Sequence, residues 1–529
     1  MPSPALGVHR PSLGLHGAVI FLRDSALLTS LALVLVTLAV IGYRLLFHPL
    51  ARVPGPRLAA FSNVWYACQV RNGRMLKLGK TLHKRYGPAV RVGPNEVWFD
   101  SVDAFKHIYR AGSGYDKSDF YLSTALQRPD ITYTPLPTFT SPDTLDLLSE
   151  RDTQRYRLQR RLIGPLYQTT YLKRHEPALD AVLERVVATL RSLNGAEVDL
   201  KEWMHIIAVE SLSAVVLTWS PNYLRDKTDH SSSSHGYMGW RRKSVFGLFP
   251  LAVKAELLSK TFGRTFANLW RVTYKTPKNF KPFFTGVYRQ VSRRVTSALA
   301  GKPVSKNDRK DDFLTDLIQL HKDKPDFSET YLRRMAITNF GAGHETMCSA
   351  LTSIMAMIGS HHEVQRRAAD EVRSATDDPK VYDHAIRLSY TQAAIKEAQR
   401  LYPVLGMALP RTVPLKAFPR GTTVGCSPVA LHRNRAIFGD DAEKYNPDRW
   451  LDEQRDVKSM ERFNLTWGGG GRMCPGRHLA ELVVFKTIPA LLEHFDLEVV
   501  MPPEEEMQYY FMAMLTGVKA RFVAKKKNE

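Results

Sequence analysis

The longest run of hydrophobic positions lies close to the N-terminus. No charged residue occurs between Asp24 and Arg44. A helix over the intervening residues 25–43 would span about 28 Å at roughly 1.5 Å per residue. That length matches the hydrocarbon core of one bilayer. No obvious small-residue cleavage site accompanies the run and arginines follow it directly, which disfavours a secretory signal peptide. The pattern therefore predicts one transmembrane anchor over residues 25–43.

Further along the chain, the spacing of apolar residues is mostly that of helices. Residues from about 182 to 324 follow helical spacing, and a long apolar helix is predicted over 336–358. Helical spacing recurs from Leu479 to Phe485. Residues 90–99 predict two short strands joined by a Gly-Pro-Asn turn. The chain therefore predicts a mainly α fold with small β-sheets.

Composition limits the choice of partners. Of the 529 residues, 44% are hydrophobic, which is enough for a large core. The net charge of +22 is spread out, and no Lys/Arg run long enough for a nucleic-acid arm precedes the short tail 525–527. Such a charge favours anionic lipid and an acidic protein partner, and we expect no nucleic acid. The four cysteines show no pairing pattern, which suits a cytosol-facing domain rather than a disulfide scaffold.

The candidate chemistry centres on a glycine-rich loop with one cysteine, residues 467–478, which read WGGGGRMCPGRH. Glycines let the backbone approach a flat partner because no Cβ intervenes. The following helical pattern places Cys474 at a helix N-terminus, where the dipole favours a thiolate. A phosphate loop would need Lys and Ser/Thr after Gly476, and a nucleophilic cysteine would need His478 aimed at the sulfur. A purely structural thiol leaves Arg472 and the glycines without a role.

This loop resembles the signature of the cytochrome P-450 haem-thiolate monooxygenases, F-x-x-G-x-R-x-C-x-G. The resemblance implies a haem b cofactor, with Cys474 as the axial ligand of the iron and Arg472 as a clamp on a haem propionate. It also implies the cytochrome P-450 fold. Tryptophan replaces the phenylalanine that packs near the sulfur in the family, so Trp467 is expected to shift the iron potential. The matching positions are Trp467, Gly470, Arg472, Cys474 and Gly476.

A second motif lies inside the predicted apolar helix, at residues 341–347, which read GAGHETM. Two glycines in a helix cost about 1 kcal/mol each relative to alanine, so they predict a functional interruption. A zinc-protease H-E-x-x-H motif is disfavoured because its last position is Cys348. In the family this stretch reads A/G-G-x-D/E-T-T/S, and the resemblance implies a helix bulge for O₂ with proton delivery by Glu345 and Thr346. The matching residues are Ala342, Gly343, Glu345 and Thr346, and Met347 departs from the pattern.

A third motif joins two distant stretches. Glu397 and Arg400 lie on one face of a helical turn, where an ordinary surface ion pair is the simplest interpretation. In the family, E-x-x-R pairs with the arginine of P-x-R-F/W, which residues 447–450 supply as Arg449. The order and spacing of the three motifs favour the family interpretation. The resemblance implies a structural triad that holds the cysteine loop.

Weaker matches add candidate contacts to the haem. Tyr156 and Arg160 stand where the family has W-x-x-x-R, which implies that Arg160 binds a propionate. Arg411 is a second candidate for this role. The stretches 90–99 and 117–121 resemble the fungal pisatin demethylase group, without an assigned role.

Two apolar segments, 403–411 and 511–517, resemble the substrate-lining turns of the family. Methionine adapts to irregular shapes, so these segments imply a small but bulky apolar substrate. The expected lining residues are Val404, Leu405, Met407, Leu409, Met512 and Met514.

Taken together, the motifs favour a membrane-anchored haem-thiolate monooxygenase. We expect a short N-terminal segment at 1–24, the anchor at 25–43, a proline-rich hinge at 44–60 and the catalytic domain at 61–529. In the family's reaction, one oxygen atom of O₂ enters a substrate C–H bond and the other is reduced to water. A slight excess of arginine after the anchor predicts a cytosolic catalytic domain on a single-pass membrane protein of the endoplasmic reticulum.

Electrons are expected from NADPH through a separate flavoprotein reductase, docked on the side nearest Cys474, where Arg472 and Arg477 are expected. Oxidation of a terpenoid, polyketide or alkaloid in fungal secondary metabolism is the main functional hypothesis. Detoxification of plant defence compounds is an alternative, as is a haem-thiolate isomerase or dehydratase. A haem-bound sensor is the non-enzymatic alternative, and the oxygen-side pair Glu345–Thr346 disfavours it.

Overall fold

The computed structural model describes residues 15–125, 146–301, 311–414 and 421–525. Residues 1–14, which belong to the predicted N-terminal segment, lie outside these ranges, as does the end of the lysine tail. The described chain is mostly helical with two small sheets, so the predicted fold class is confirmed.

Helices α1 to α23 provide the bulk of the described structure. In chain order they are Leu15–Gly42, Arg57–Phe61, Val64–Arg71, Met75–Tyr86, Val102–Tyr109, Thr153–Ile163, Thr169–Leu172, Glu176–Arg191, Leu200–Leu217, Tyr223–Asp226, Ser232–Gly247, Pro250–Leu258, Lys260–Leu269, Phe283–Leu299, Phe313–Asp323, Glu329–Ser360, His362–Arg373, Tyr382–Ala385, Ser389–Leu401, Pro428–Leu431, Arg435–Phe438, Val457–Phe463 and Arg477–His494.

The strands form one mixed sheet, in the order β1-β2-β6-β5-β3, and one antiparallel sheet, in the order β4-β8-β7. β1 and β2 pair antiparallel with Ala89 opposite Phe99, which confirms the strand pair predicted in residues 90–99. β2 runs parallel to β6, with Glu96 opposite Thr423. The strands β1 to β8 are Ala89–Gly93, Glu96–Phe99, Asp116–Lys117, Val198–Asp199, Arg411–Thr412, Thr423–Cys426, Phe495–Val500 and Lys519–Ala524.

Helix α1 carries the predicted anchor. Residues Leu22–Phe47 are long and apolar enough to cross a membrane, with a mean hydropathy of 2.3 and 0% of the apolar window buried. The helix begins at Leu15, before the predicted start at residue 25, and takes in Arg23 and Asp24. An apolar helix whose side chains are not buried against the rest of the described protein is compatible with a membrane anchor.

The proline-rich hinge is held against the domain. The buried guanidinium of Arg91, on β1, donates to the carbonyls of Arg44 at 2.9 Å, Leu50 at 3.4 Å and Pro94 at 2.8 Å. Arg44 in turn donates to the carbonyl of Phe61. Because these bonds join the hinge to the first sheet, the segment after the anchor follows a fixed path.

The central helix is α16, with 32 residues, which packs along α9. Ser328 caps it, and its hydroxyl accepts a hydrogen bond from the N–H of Tyr331 at 3.2 Å. The predicted interruption at residues 341–347 is wrong, because α16 is continuous there. A Cβ at Gly343 would lie 3.0 Å from a methyl group of Leu212 on α9. This glycine is therefore explained by close helix packing.

Candidate functional site

The cysteine loop is shaped by glycine. Gly470 has a φ of 59°, and a Cβ there would lie 1.6 Å from the carbonyl oxygen of Tyr109 at the end of α5. Only glycine fits such a position. Gly476 lies beside the sulfur, since a Cβ there would be 4.0 Å from Cys474 Sγ. The loop therefore packs against α5 with one part of its backbone, and the residue beside the sulfur carries no side chain.

Cys474 precedes α23, which begins at Arg477 with Gly476 as its N-cap. The Cys474 N–H donates to the carbonyl of Trp467 at 2.8 Å and closes the loop. Removal of the sulfur from water raises the pKa of the Cys474 thiol, and a hydrogen bond from the Gly476 N–H and the cation of Arg160 oppose this rise only in part. The helix end thus favours the thiolate in the expected direction, although burial has the larger, opposite effect. A bound metal cation would favour the thiolate further.

Arg472 turns away from the surface and lies over the ring of Tyr156, with its guanidinium carbon 4.0 Å from the ring centroid. It donates to the carbonyls of Glu150 at 3.0 Å and Arg151 at 2.9 Å. Its carboxylate neighbour, Asp116, is exposed and 4.0 Å away. The charge of Arg472 is therefore held by neutral oxygens and a ring, which leaves it able to bind an anion.

The other two residues predicted to bind the propionates, Arg411 and Arg160, lie near Arg472. Arg411 on β5 is buried and donates to the hydroxyl of Tyr121 at 3.2 Å. The Nη1 atom of Arg160 on α6 is buried and has no hydrogen-bond partner among the described residues. The three arginines thus share a buried region beside the cysteine loop.

Lys117 lies in the stretch 117–121, whose weak resemblance to the pisatin demethylase group predicts no role for this residue. Its buried Nζ donates to the carbonyls of Leu147 at 3.0 Å and Leu148 at 2.7 Å, and it lies over the rings of two tyrosines. Burial, and then the charges of Arg411 and Arg472, hold the pKa of Lys117 well below its ordinary value. Only the fold brings this lysine to the arginines, so no local sequence signal could have found it.

These residues fit a haem. Several buried or partly buried cations, with only the distant and exposed Asp116 as an ion-pair partner among the described residues, suit an anionic ligand, and a haem carries two carboxylates. A side-chain-poor loop with a cysteine suits a flat iron macrocycle. The residues available to hold the two propionates are Lys117, Arg160, Arg411 and Arg472.

Across from the cysteine loop, helix α16 carries the two predicted proton-delivery residues, whose side chains point in different directions. The Thr346 hydroxyl donates to the carbonyl of Ala342 at 2.7 Å. Glu345 is buried against α11, where the Trp240 indole N–H donates to its carboxylate and a Cβ on Gly236 would collide with it. Burial raises the pKa of Glu345 despite the charge of Lys243 and this hydrogen bond. No hydrogen bond joins Glu345 to Thr346 in the described structure, because consecutive helical side chains point about 100° apart.

The predicted triad is present and fully buried. Arg400 Nη2 and Arg449 Nε each lie 2.8 Å from Glu397 Oε1. The simple surface pair is thereby excluded. His432, which sequence analysis missed, extends this network: its Nδ1 lies 2.9 Å from the Arg400 carbonyl, and its Nε2 accepts from the Leu465 N–H at 2.7 Å. This imidazole connects the triad to the segment that enters the cysteine loop.

The two predicted lining segments lie side by side. Leu405 and Met512 form an isolated antiparallel bridge, and the Ala513 N–H donates to the Val404 carbonyl at 2.7 Å. Val404 and Leu405 are partly exposed. The other predicted lining residues are buried, namely Met407, Leu409, Met512 and Met514.

A surface cavity of about 760 Å³ opens beside the cysteine loop. Trp467 and Met473 contribute apolar surface, and two carboxylates, Glu461 and Glu481, also line it. Arg477 lies on this face as expected, whereas Arg472 is turned inward. The cations lining the cavity are Lys106, Arg110, Lys396, Arg462 and Arg477.

Comparison with known proteins defines the class. The sequence matches the family described as Cytochrome P-450 over residues 54–522, so the chain belongs to this family. It is 58% identical to the cytochrome P-450 monooxygenase sdnT of Sordaria araneosa over 98% of both chains. It is 26% identical to a pisatin demethylase of Fusarium vanettenii, over 88% of this chain and 90% of the relative. It is 28% identical to the cytochrome P-450 monooxygenase hepC of Aspergillus oryzae, with the same coverage. The predicted family and enzyme class are confirmed, and pisatin demethylase is a weaker relative.

Proposed function

We propose that this monooxygenase oxidises a fungal secondary metabolite, a small and largely apolar molecule, with O₂ and with electrons from NADPH through a flavoprotein reductase. The observation that carries the proposal is the glycine-shaped loop that presents Cys474 beside a group of buried and partly buried cations. Similarity to sdnT and hepC supports the reaction class.

Haem b would be held by Cys474 at the iron and by the cations of Arg160, Arg411 and Arg472 at the propionates, with Lys117 as a further cation. When bound, a haem with a thiolate ligand supplies activated oxygen for insertion into a C–H bond. The triad of Glu397, Arg400 and Arg449 keeps the loop in place through His432. Gly476 would leave room for the macrocycle beside the sulfur, Gly470 lets the loop pack against α5, and Trp467 lines the surface cavity.

Protons would be delivered by two residues of α16, Thr346 and Glu345. The partly exposed Thr346 hydroxyl donates to its own helix and would relay a proton by giving up one proton while it accepts another from water. Glu345 is buried with a raised pKa, so it holds a proton more readily than an exposed glutamate does. Because the two side chains do not touch, water is expected to connect them.

The substrate would lie between α16 and the paired lining segments, where Val404 and Leu405 are partly exposed. The reductase would dock over the cavity beside Cys474, where cations outnumber carboxylates. Complementary charge speeds such encounters and weakens with salt. The apolar helix α1 would anchor the protein in the endoplasmic reticulum, with the catalytic domain in the cytosol.

The reduced protein with carbon monoxide tests the haem-thiolate assignment. We expect the Soret band to show the red shift of thiolate ligation and Cys474→Ala to lose it. Cys348→Ala and Cys426→Ala, at two buried cysteines, are matched controls that should retain the shift. A normal shift in Cys474→Ala would contradict the proposal.

A further inference from the structure

One face of α16 is left uncovered by the described residues, although most of this helix is buried. Ala342 is exposed, and Thr346 is partly exposed, while most of the following residues are buried. Thr338 and Arg334 precede Ala342 by four and eight residues and are also partly exposed. Residues four apart form one row along a helix. The open face therefore continues from Thr346 to Arg334.

Arg334 stands at the N-terminal end of this row. It makes no hydrogen bond or ion pair with any residue that the structure describes, whereas the adjacent Arg333 pairs with Glu329 at 2.6 Å. Burial lowers the pKa of Arg334, with Asp146 and Tyr288 acting in the opposite direction. The Asp146 carboxylate already accepts hydrogen bonds from Leu148 and Ser149. Arg334 is thus partly desolvated without a direct counter-ion.

Thr338 adds an unused hydroxyl on the same row. Its Oγ1 is buried and has no hydrogen-bond partner among the described residues. A half-buried guanidinium and a spare hydroxyl suit an oxygen-rich acceptor, and guanidinium matches carboxylate geometry in a bidentate fashion. A phosphate dianion would need more donors than this row offers, because Ala342 and the lining segments are apolar.

We propose that the substrate is a carboxylic acid whose carboxylate binds Arg334, with Thr338 as an auxiliary donor. Its apolar body would lie along Ala342 and place the oxidised carbon near Thr346. Arg334 precedes Thr346 by twelve residues, about 18 Å along the helix axis. Since the arginine side chain covers part of this distance, the carboxylate and the oxidised carbon would be about 10–15 Å apart, as in a polycyclic or long-chain acid. This inference rests on the proposed function.

Imidazolyl alkanoic acids of graded length, each with its methyl ester, test the proposal. The imidazole ligates the haem iron and the chain carries the carboxylate toward Arg334. Titration by the Soret shift should show that, at one chain length, wild type binds the acid at least tenfold more tightly than the ester. Arg334→Leu should remove this preference and leave ester binding unchanged. Arg334→Lys should restore part of it, and Arg333→Leu is the control that should retain it.

Equal binding of acid and ester by wild type at every length would overturn the proposal. So would a preference that survives Arg334→Leu, or the absence of any azole binding in protein with a normal carbon monoxide spectrum. Loss of the thiolate Soret shift in wild type would instead contradict the proposed function itself. The two failures are therefore distinguishable.

Discussion

The two sides of the proposed haem site are stabilised in different ways. On the cysteine side, Glu397 joins Arg400 and Arg449 in a fully buried network that reaches the loop through His432. On the oxygen side, Thr346 bonds only to the backbone of its own helix in the contacts recorded for the described residues. Damage to the first network spreads through several segments, whereas damage at Thr346 stays local. We therefore expect cysteine-side substitutions to reduce folding and haem retention, and oxygen-side substitutions to change the outcome of the reaction.

The largest effect should come from Glu397→Gln. It leaves the buried Arg400 without its carboxylate and Arg449 with only Asp441, and breaking a buried ion pair costs about 3–5 kcal/mol. That is a large part of a total stability of about 5–15 kcal/mol. We expect little haem-loaded protein, measured as carbon monoxide difference absorbance per milligram. Glu461→Gln, which removes an exposed partner of Lys396, is the control and should change little. Equal yields of the two variants would contradict the structural role of the triad.

Thr346→Ala should leave the fold intact and reduce product several-fold. The variant loses a hydroxyl whose bonds are confined to its own helix, so thermal stability and the carbon monoxide spectrum should match wild type. NADPH consumption should continue, with more of it ending as hydrogen peroxide because protons are delivered less effectively. Product, peroxide and NADPH are measured together on any substrate that wild type oxidises. Glu345→Gln should slow turnover, and wild-type coupling in Thr346→Ala would show that water alone carries the protons.

Lys117→Met should weaken haem retention by a smaller factor. The change removes one cation from the group that includes Arg411 and Arg472 while keeping most of the side-chain volume. We expect transfer of haem to apomyoglobin to become several-fold faster. Lys84→Met, at an exposed lysine, is the control. An unchanged transfer rate would show that Lys117 serves only to hold the carbonyls of Leu147 and Leu148.

The smallest effect concerns pH. Burial lowers the pKa of His432 to about 3, below the ordinary value of about 6.5 for an unfolded chain. Below pH 6.5 the imidazole of His432 is protonated in the unfolded state but stays neutral in the native state. The free energy of unfolding therefore decreases as the pH is lowered from about 6.5 to about 3. Between pH 7 and 5.5 the loss should be about 1 kcal/mol. Melting of wild type and His432→Phe over this range measures it, and equal slopes would contradict the assignment.

Short motifs predicted the cysteine side well because its chemistry is local in sequence. Cys474 and the E-x-x-R pair lie within a few residues of their defining neighbours, and the one distant member, Arg449, has its own motif. The contacts of Lys117 and Glu345 could not be predicted in this way. Lys117 meets its arginines only after three separate segments have folded, and Glu345 finds Trp240 on α11, which is 105 residues away in the chain.

The apolar helix proposed as the membrane anchor was likewise predictable from composition, whereas the course of the hinge was not. Prolines indicate stiffness, but the bonds from Arg91 to the carbonyls of Arg44 and Leu50 depend on the first sheet. The predicted interruption of α16 failed for a related reason. Glycine is required at position 343 because Leu212 on the neighbouring helix α9 packs closely against it. A single sequence does not reveal that contact.

The grip of Arg91 on the hinge has a mechanical consequence. In the proposed membrane orientation, a loose tether would let the catalytic domain reorient freely above the bilayer, whereas the hinge bonded to Arg91 would pass a rotation of α1 on to it. A tilt of α1 in the lipid would then reorient the domain, including the face proposed to bind the reductase. Membrane thickness, which sets the tilt of a spanning helix, would thereby help determine how often an electron donor and this enzyme meet in a productive orientation.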